Sequence, residues 1–509
     1  MNKISTADLR GPLALVVVCL ALFLPICFLT PCYYGDDGGY MQMLNFFMQS
    51  GKVDLMQWSQ PTAIGLLFAG VLAAKCAGFG FVQLDLVGLL FSIAAVLGLY
   101  RLFRARAEAG LSFVLALSIF CFCDAALVAP TFMTDMPFLA YCAWWLVFTQ
   151  KVLSSEGPVK PVDYVLWCLF LLLAFLTRST ILLALPALLI AALFCASKRR
   201  VLLVMAALFI GCGVVASGIT KLLTINALTF FQTTALREIV QLHDFARFNI
   251  REAAVATLCV IFSASPLLLA VNANSYKRLF PARIISAAVA AVLACYFSAK
   301  GLFQPLGTLL SVLVIPAVTC AAYNAPVVVA DALRNNKALA LILLTFLVAS
   351  LGVLPIMAHP LTRHAIPAMV AMIGLVSLAD CYKTGTEKYV FALVSLLLLN
   401  NVIMLQQQRL SEFARLAISR DLQTLGVKPT TIDAGWAWFC YEGLIPGSND
   451  QQSYVEKFKN WQKDASFTVG PISEAPKDGR LLSEFAVPHF THKIDVSVVQ
   501  AKSSKVDRY

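Results

Sequence analysis

Gly11 to Thr30 reads GPLALVVVCLALFLPICFLT, and Pro31 to Tyr40, which follow it, read PCYYGDDGGY. The first stretch has the length, roughly 20 apolar residues, that a helix needs to cross the hydrocarbon of a bilayer. The second sets two adjacent carboxylates, Asp36 and Asp37, where the chain leaves the membrane. Charge held at such a boundary often has a function, and neighbouring acids repel, so their proton affinities are driven apart, as suits a general base or a metal clamp. A polar turn closed by Gly38 and Gly39 is the alternative. Pro31-Cys32-Tyr33-Tyr34 offers no small-residue cleavage site, so the stretch reads as a retained span. The amino terminus, with Lys3 and Arg10, is then cytoplasmic.

The rest of the chain repeats the message. Of 509 residues, 60% are hydrophobic and 13% charged, more apolar surface than one soluble core could bury. The net charge of +11 is topological and gives no sign of nucleic acid as a partner, because Lys and Arg recur on alternate loops: Arg101 to Arg106, Lys151 and Lys160, Lys198 to Arg200, Lys277 to Arg283, Arg334 and Lys337, Lys383 and Lys388. That is the positive-inside pattern. The intervening loops, around 131–134, 176–180, 300–304 and 359–363, carry few basic residues and face outward.

Pro61 to Gly80 is apolar enough to cross, but a crossing there would turn every later basic loop outward. Residues 31–81 therefore form a long first outer loop whose part from Asn45 to Gly80 holds amphipathic or re-entrant helices against the bilayer. The expected fold is an α-helical polytopic membrane protein with about 13 spans, at 11–30, 82–102, 111–129, 135–151, 163–176, 180–197, 201–222, 252–272, 283–299, 306–330, 338–356, 364–380 and 389–405. Residues 1–405 form the membrane domain. After Met404 the composition turns polar, with charged residues at helical spacing through Leu425, and residues 406–509 are long enough for a small α/β domain on the outer face. Thr430 to Ala434 and Thr491 to Val499 read as its strands, with Asp433 to Trp438 as a loop.

The 15 cysteines lie mostly in spans, as small apolar fillers; Cys32, Cys76 and Cys440 are the outer-face thiols. No P-loop is present, which argues against soluble nucleotides as substrates.

Asp135, in Thr134-Asp135-Met136-Pro137, shares the outer face with Asp36 and Asp37. Thr134 or Asp135 could cap the helix that follows. Arg178, in Leu176-Thr177-Arg178, and Arg363-His364, ahead of Pro367, interrupt apolar sequence on that face. Such arginines either snorkel to headgroups or bind a phosphate.

These residues carry a resemblance. Asp-Asp-x-x-Tyr (36–40) in a long first outer loop, Thr-Asp-x-Pro (134–137), Leu-Thr-Arg (176–178) and Arg-x-x-x-Pro (363–367) follow one another as in the GT-C class of membrane glycosyltransferases. The chain is most similar to the branch with aminoarabinose transferases, protein O-mannosyltransferases and Rgt-like lipopolysaccharide-decorating enzymes. The resemblance implies a polyprenyl-phosphate sugar donor, an acceptor hydroxyl on a glycan, lipid or protein, and a bacterial inner membrane with the carboxyl terminus periplasmic. It implies Asp36, Asp37 and Asp135 as catalytic acids, Arg178, Arg363 and His364 at the donor phosphate, and Tyr40 and Thr134 in the substrate pocket. Arg178 stands where relatives often have lysine, and His364 where tyrosine is common. No cofactor is required; a divalent cation on Asp36, Asp37 and Asp135 stays open. A transporter or flippase, or a glycan polymerase or ligase using polyprenyl-linked substrates, are the rival functions.

The topology is directly testable. In a background without reactive native thiols, cysteines placed at Ser453 and Ala105 are expected to react with an impermeant maleimide from opposite sides of the membrane. Reaction of both from the same side refutes the assignment.

Overall fold

The computed structural model describes residues 6–30, 36–54, 63–105, 107–225, 250–269, 277–299, 308–354, 362–379 and 387–434, and in the tail 438, 462, 465, 467–470, 480–488 and 493–500. The chain is an α-helical polytopic membrane protein with a small sheet near its carboxyl end. Its first helices are α1 (Thr6–Leu29), α2 (Asp37–Ser50), α3 (Ile64–Ala77), α4 (Phe81–Arg104), α5 (Ala109–Leu117), α6 (Cys123–Val128), α7 (Asp135–Ser154) and α8 (Pro161–Phe175). Then come α9 (Ala184–Phe194), α10 (Arg199–Leu223), α11 (Ile250–Leu269), α12 (Phe280–Ala299), α13 (Thr308–Asn335), α14 (Lys337–Val353), α15 (Ile366–Leu378) and α16 (Glu387–Thr424). The described part of each stretch read as a span is mainly helical. Among the described residues, Arg10–Leu29, Phe81–Arg104, Ala196–Leu223, Val314–Asn335 and Lys388–Thr424 are long and apolar enough to cross a membrane by themselves.

The helix ends that the basic-loop pattern assigns to one side meet one another. Lys198 Nζ, ahead of α10, donates to the Ser155 carbonyl just past α7 at 3.0 Å. Asn335 Nδ2, at the end of α13, donates to the Leu378 carbonyl at the end of α15 at 2.9 Å. At the other end, Lys52 Nζ reaches the Leu222 carbonyl at 2.7 Å, and Val53 bridges Thr224, so the first loop is tied to the exit of α10.

The first loop holds two helices, and α2 starts at Asp37, ahead of the expected Asn45. The stretch 111–129 is not one helix: a 3-10 turn at Ser118–Cys121 separates α5 from α6. A break inside an apolar medium leaves carbonyls that no water can satisfy. Asn401 of α16 supplies the donor, with Nδ2 at 2.9 Å from the Phe120 carbonyl and 3.0 Å from that of Cys121.

α16 runs unbroken past residue 405, and the sheet packs on its far end. The four strands, β1 (Ile432–Asp433), β2 (Phe467–Gly470), β3 (Arg480–Pro488) and β4 (Lys493–Gln500), lie in the order β1-β2-β4-β3. β1 and β4 lie on the two stretches read as strands; β2 and β3 were not foreseen. Asp433 sits in β1, not in a loop. Trp438 is buried and donates to the Pro429 carbonyl at 3.2 Å; residues 435–437 lie outside the described residues. Cys76 is a free, exposed thiol, while Cys32 and Cys440 lie outside the described residues.

Arg409 of α16 is fully buried, ion-paired with Asp85 of α4, and donates at 2.9 Å to the Thr30 carbonyl just past α1. The negative end of α1 favours a cation there. This pair fastens the tail's helix to the end of α1 and the start of α4. Removing one partner of a buried pair typically costs ~3–5 kcal/mol, whereas replacing both by apolar groups of similar volume costs far less. Asp85→Leu alone is therefore expected to lower the thermal unfolding midpoint in detergent, and Asp85→Leu with Arg409→Met to recover most of the loss.

Candidate active site

Asp36 occupies the residue before α2, yet makes no side-chain capping bond. Its backbone carbonyl instead accepts from Gly39 and Tyr40 at 3.1 and 3.3 Å, which closes the turn and leaves the carboxylate free to turn away from the helix. It meets Arg363, whose Nη2 donates to Asp36 Oδ2 in an ion pair with side chains 24% and 17% exposed. Asp37, one residue on, is buried in the first turn of α2. The two adjacent acids thus have different surroundings: Asp36 is partly exposed and Asp37 is buried.

Behind this pair lies a second. Asp135 opens α7 and pairs with Arg178, the residue before the 3-10 turn Ser179–Leu183; their side chains are 2% and 6% exposed. Thr134 makes no capping bond either. Its Oγ1 shares a hydrogen bond of 3.3 Å with the Tyr40 hydroxyl, so the polar residues that open α7 are turned toward the first loop and Arg178 instead of their own helix. Burial pushes the Tyr40 phenol up to about 12, and it stays a neutral hydrogen-bonding group.

Arg363 joins the two pairs. Its charge acts on Asp135 as well as Asp36, and its Nη1 lies 3.9 Å from Met133 Sδ. His364 sits within the fields of Arg178, Arg363 and Asp135. Four parts of the chain, the first loop, the start of α7, the turn after α8 and the 363–364 step, therefore converge at one place. Each of Asp36 and Asp135 is occupied by an arginine. Among the described residues, no group of three His, Cys, Asp or Glu residues could hold a metal ion.

Backbone contact fixes the second acid. Gly88 of α4 faces Thr131 so closely that a Cβ there would lie 2.1 Å from the Thr131 carbonyl oxygen. One turn along, Ser92 Oγ donates to the Ala129 carbonyl at 2.7 Å. α4 thus grips the segment that leads into Thr134 and Asp135, and only a residue without a side chain allows that approach.

The fold has counterparts among solved structures. ArnT from Cupriavidus metallidurans bound to undecaprenyl phosphate superposes with a TM-score of 0.53 over 95% of this chain and 97% of its own, at 12% identity. The chain has the GT-C fold. Apo ArnT gives a TM-score of 0.51 over 95% of this chain and 98% of its own, at 13% identity. Comparison with protein-family profiles finds no match, and comparison with curated protein sequences finds none either.

Gly88→Ala forces the Thr131 backbone outward. Overpacking of this kind typically costs ~1–3 kcal/mol. The variant is expected to unfold at lower temperature in detergent than Gly110→Ala, a control whose Cβ meets nothing within 4 Å.

Proposed function

We propose that the chain is an inverting glycosyltransferase that moves a sugar from a polyprenyl-phosphate donor to an acceptor hydroxyl at the outer face of a bacterial inner membrane. The observation that carries this reading is the partly exposed ion pair between Asp36 and Arg363, backed by the buried pair of Asp135 and Arg178. An acid from the first outer loop and an arginine from a late one come together over a second acid and a second arginine. Support also comes from the GT-C fold shared with a protein solved with undecaprenyl phosphate bound.

The chemistry follows from the exposures. A phosphate competes with Asp36 for Arg363, because both anions suit the guanidinium fork. Once the donor phosphate takes Arg363, the Asp36 carboxylate loses its counter-ion and is released to face the acceptor hydroxyl. Asp36 then accepts the proton of the acceptor hydroxyl as that oxygen bonds to the anomeric carbon. The bond from that carbon to the phosphate oxygen breaks, its electron pair stays on the phosphate, and Arg363 stabilises the charge that develops. One displacement inverts the anomeric centre. The Arg178 Nε has no hydrogen-bond partner among the described residues, so Arg178 keeps a donor for the same phosphate while Asp135 holds it in place. Tyr40 and Thr134 form the wall between the two pairs. Asp37, buried, supports the loop; His364 adds a polar group beside both arginines. The acceptor is a glycan, lipid or protein hydroxyl.

Asp36→Asn keeps size and removes basicity. It is expected to slow transfer about 10²- to 10⁴-fold while donor binding persists, measured with purified protein and a short-chain polyprenyl phosphosugar. Arg363→Ala is expected to raise the donor KM and slow turnover, a loss of ~2–5 kcal/mol in kcat/KM, and Arg363→Lys to recover little of it. Unchanged kinetics for Arg363→Ala and Arg363→Lys would mean that Arg363 only snorkels to headgroups. Near-normal turnover in Asp36→Asn, with loss in Asp37→Asn, would transfer the role of base to Asp37.

A further inference from the structure

Gly65 touches two of the elements that carry the site, the turn after α8 and α7, and the helix it belongs to packs on a third, α2. It is the second residue of α3, where a helix leaves its first backbone N–H groups without intrahelical partners. Its N–H crosses to the Leu176 carbonyl at 2.7 Å, two residues before Arg178. Its own carbonyl lies 3.4 Å from the hydroxyl of Tyr141 on α7, the helix that Asp135 opens. α3 in turn packs on α2, which begins beside Asp36, through the edge contact of Phe68 with Phe47 and the closeness of Gly70 to Leu44. A Cβ on Gly65 would fall 2.3 Å from Thr177 Oγ1 and 3.2 Å from the Leu173 carbonyl. Thr177 cannot swing aside freely, since it is buried and its hydroxyl is bonded to that same carbonyl at 2.7 Å.

We propose that Gly65 is a positioning residue that sets the distance between the Asp36 pair and the Asp135–Arg178 pair by clamping the first outer loop onto the turn after α8; this rests on the glycosyl-transfer reading above. Its neighbours explain the choice of residue. The clamp needs an N–H at van der Waals distance from a helix end, and any side chain there would push α3 off Thr177 and carry the loop with it. A displacement of about 1 Å between reacting groups costs up to ~10²-fold in rate. The bond-forming step suffers more than donor binding, because each ion pair stays intact while their spacing changes.

The experiment is a second-site rescue. Gly65→Ala is expected to lower kcat about 10- to 100-fold, with a smaller change in donor KM. Thr177→Ala removes the obstructing hydroxyl, so Gly65→Ala/Thr177→Ala should return to within about threefold of Thr177→Ala alone, whereas Thr177→Val, which puts a methyl in the hydroxyl's place, should not rescue. A structural defect alone would not produce that split between two substitutions of similar polarity. Hydrogen exchange of the peptide spanning Ala63 to Phe68 is the independent readout: protected in the parent, exposed in Gly65→Ala, protected again in the Ala/Ala pair. Equal turnover and equal protection in parent and Gly65→Ala would overturn the proposal, as would equal rescue by Val. If Gly65→Ala does not fold, the Ala/Ala pair compared with Thr177→Ala still decides it, lost protection and turnover there counting against the clamp. A parent inactive toward every polyprenyl phosphosugar, yet showing the exchange pattern, would refute the glycosyl-transfer reading and leave the clamp standing.

Discussion

A carboxylate or a guanidinium removed from water has to find its opposite, and the end of this molecule that holds the first loop is organised around that necessity. Asp36 with Arg363, Asp135 with Arg178, and Asp85 with Arg409 each join segments far apart in sequence. Any arrangement of the helices that parted one of these couples would strand two charges in a poor dielectric. The apolar faces can slide against lipid or each other at little cost; the couples cannot, and they therefore decide which helix ends meet.

Two of the couples lie close together and differ in how much water reaches them. Asp135 with Arg178 is almost fully buried, whereas Asp36 with Arg363 is partly exposed. Under the proposed reaction that difference gives two chemically identical pairs separate roles, the exposed pair exchanging partners with the donor phosphate and the buried pair holding Arg178 beside it.

Much of this was legible in the sequence. Runs of apolar residues locate helices because a bilayer demands internally satisfied backbone, and the alternation of Lys and Arg orders their ends. The acids Asp36, Asp37 and Asp135 and the arginines Arg178 and Arg363 could be named because charged groups stand out against apolar surroundings, while Tyr40, Thr134 and His364 came with the resemblance. What could not be read is who pairs with whom. Pairing depends on the rotation of each helix about its axis, and periodicity is weak where nearly every residue is apolar. The capping reading of Thr134 and Asp135 was sound local chemistry, overridden because Tyr40 and Arg178 arrive from elsewhere with better partners. Gly65 and Gly88 were silent for another reason: a glycine in an apolar run looks like filler until the backbone it presses on is known. Asp85 inside a span is a visible signal, but its partner Arg409 lies beyond the last expected span, on the continuation of α16, where sequence alone gives no reason to look for it. β2 and β3 are short or lack clear alternation, so nothing in their composition marked them.

The length of α16 has a mechanical consequence. Its 38 residues make a rod of about 57 Å, well beyond the ~30 Å hydrocarbon layer. Arg409 pins that rod part-way along, and from there to Thr424 it runs on for about 22 Å with the sheet resting on its far portion. A pinned rod is a lever: a tilt of about 5° below the pin displaces the far end by ~2 Å. Push on the sheet, and the torque is delivered at Asp85 and Thr30, the ends of the two helices that bracket the first outer loop.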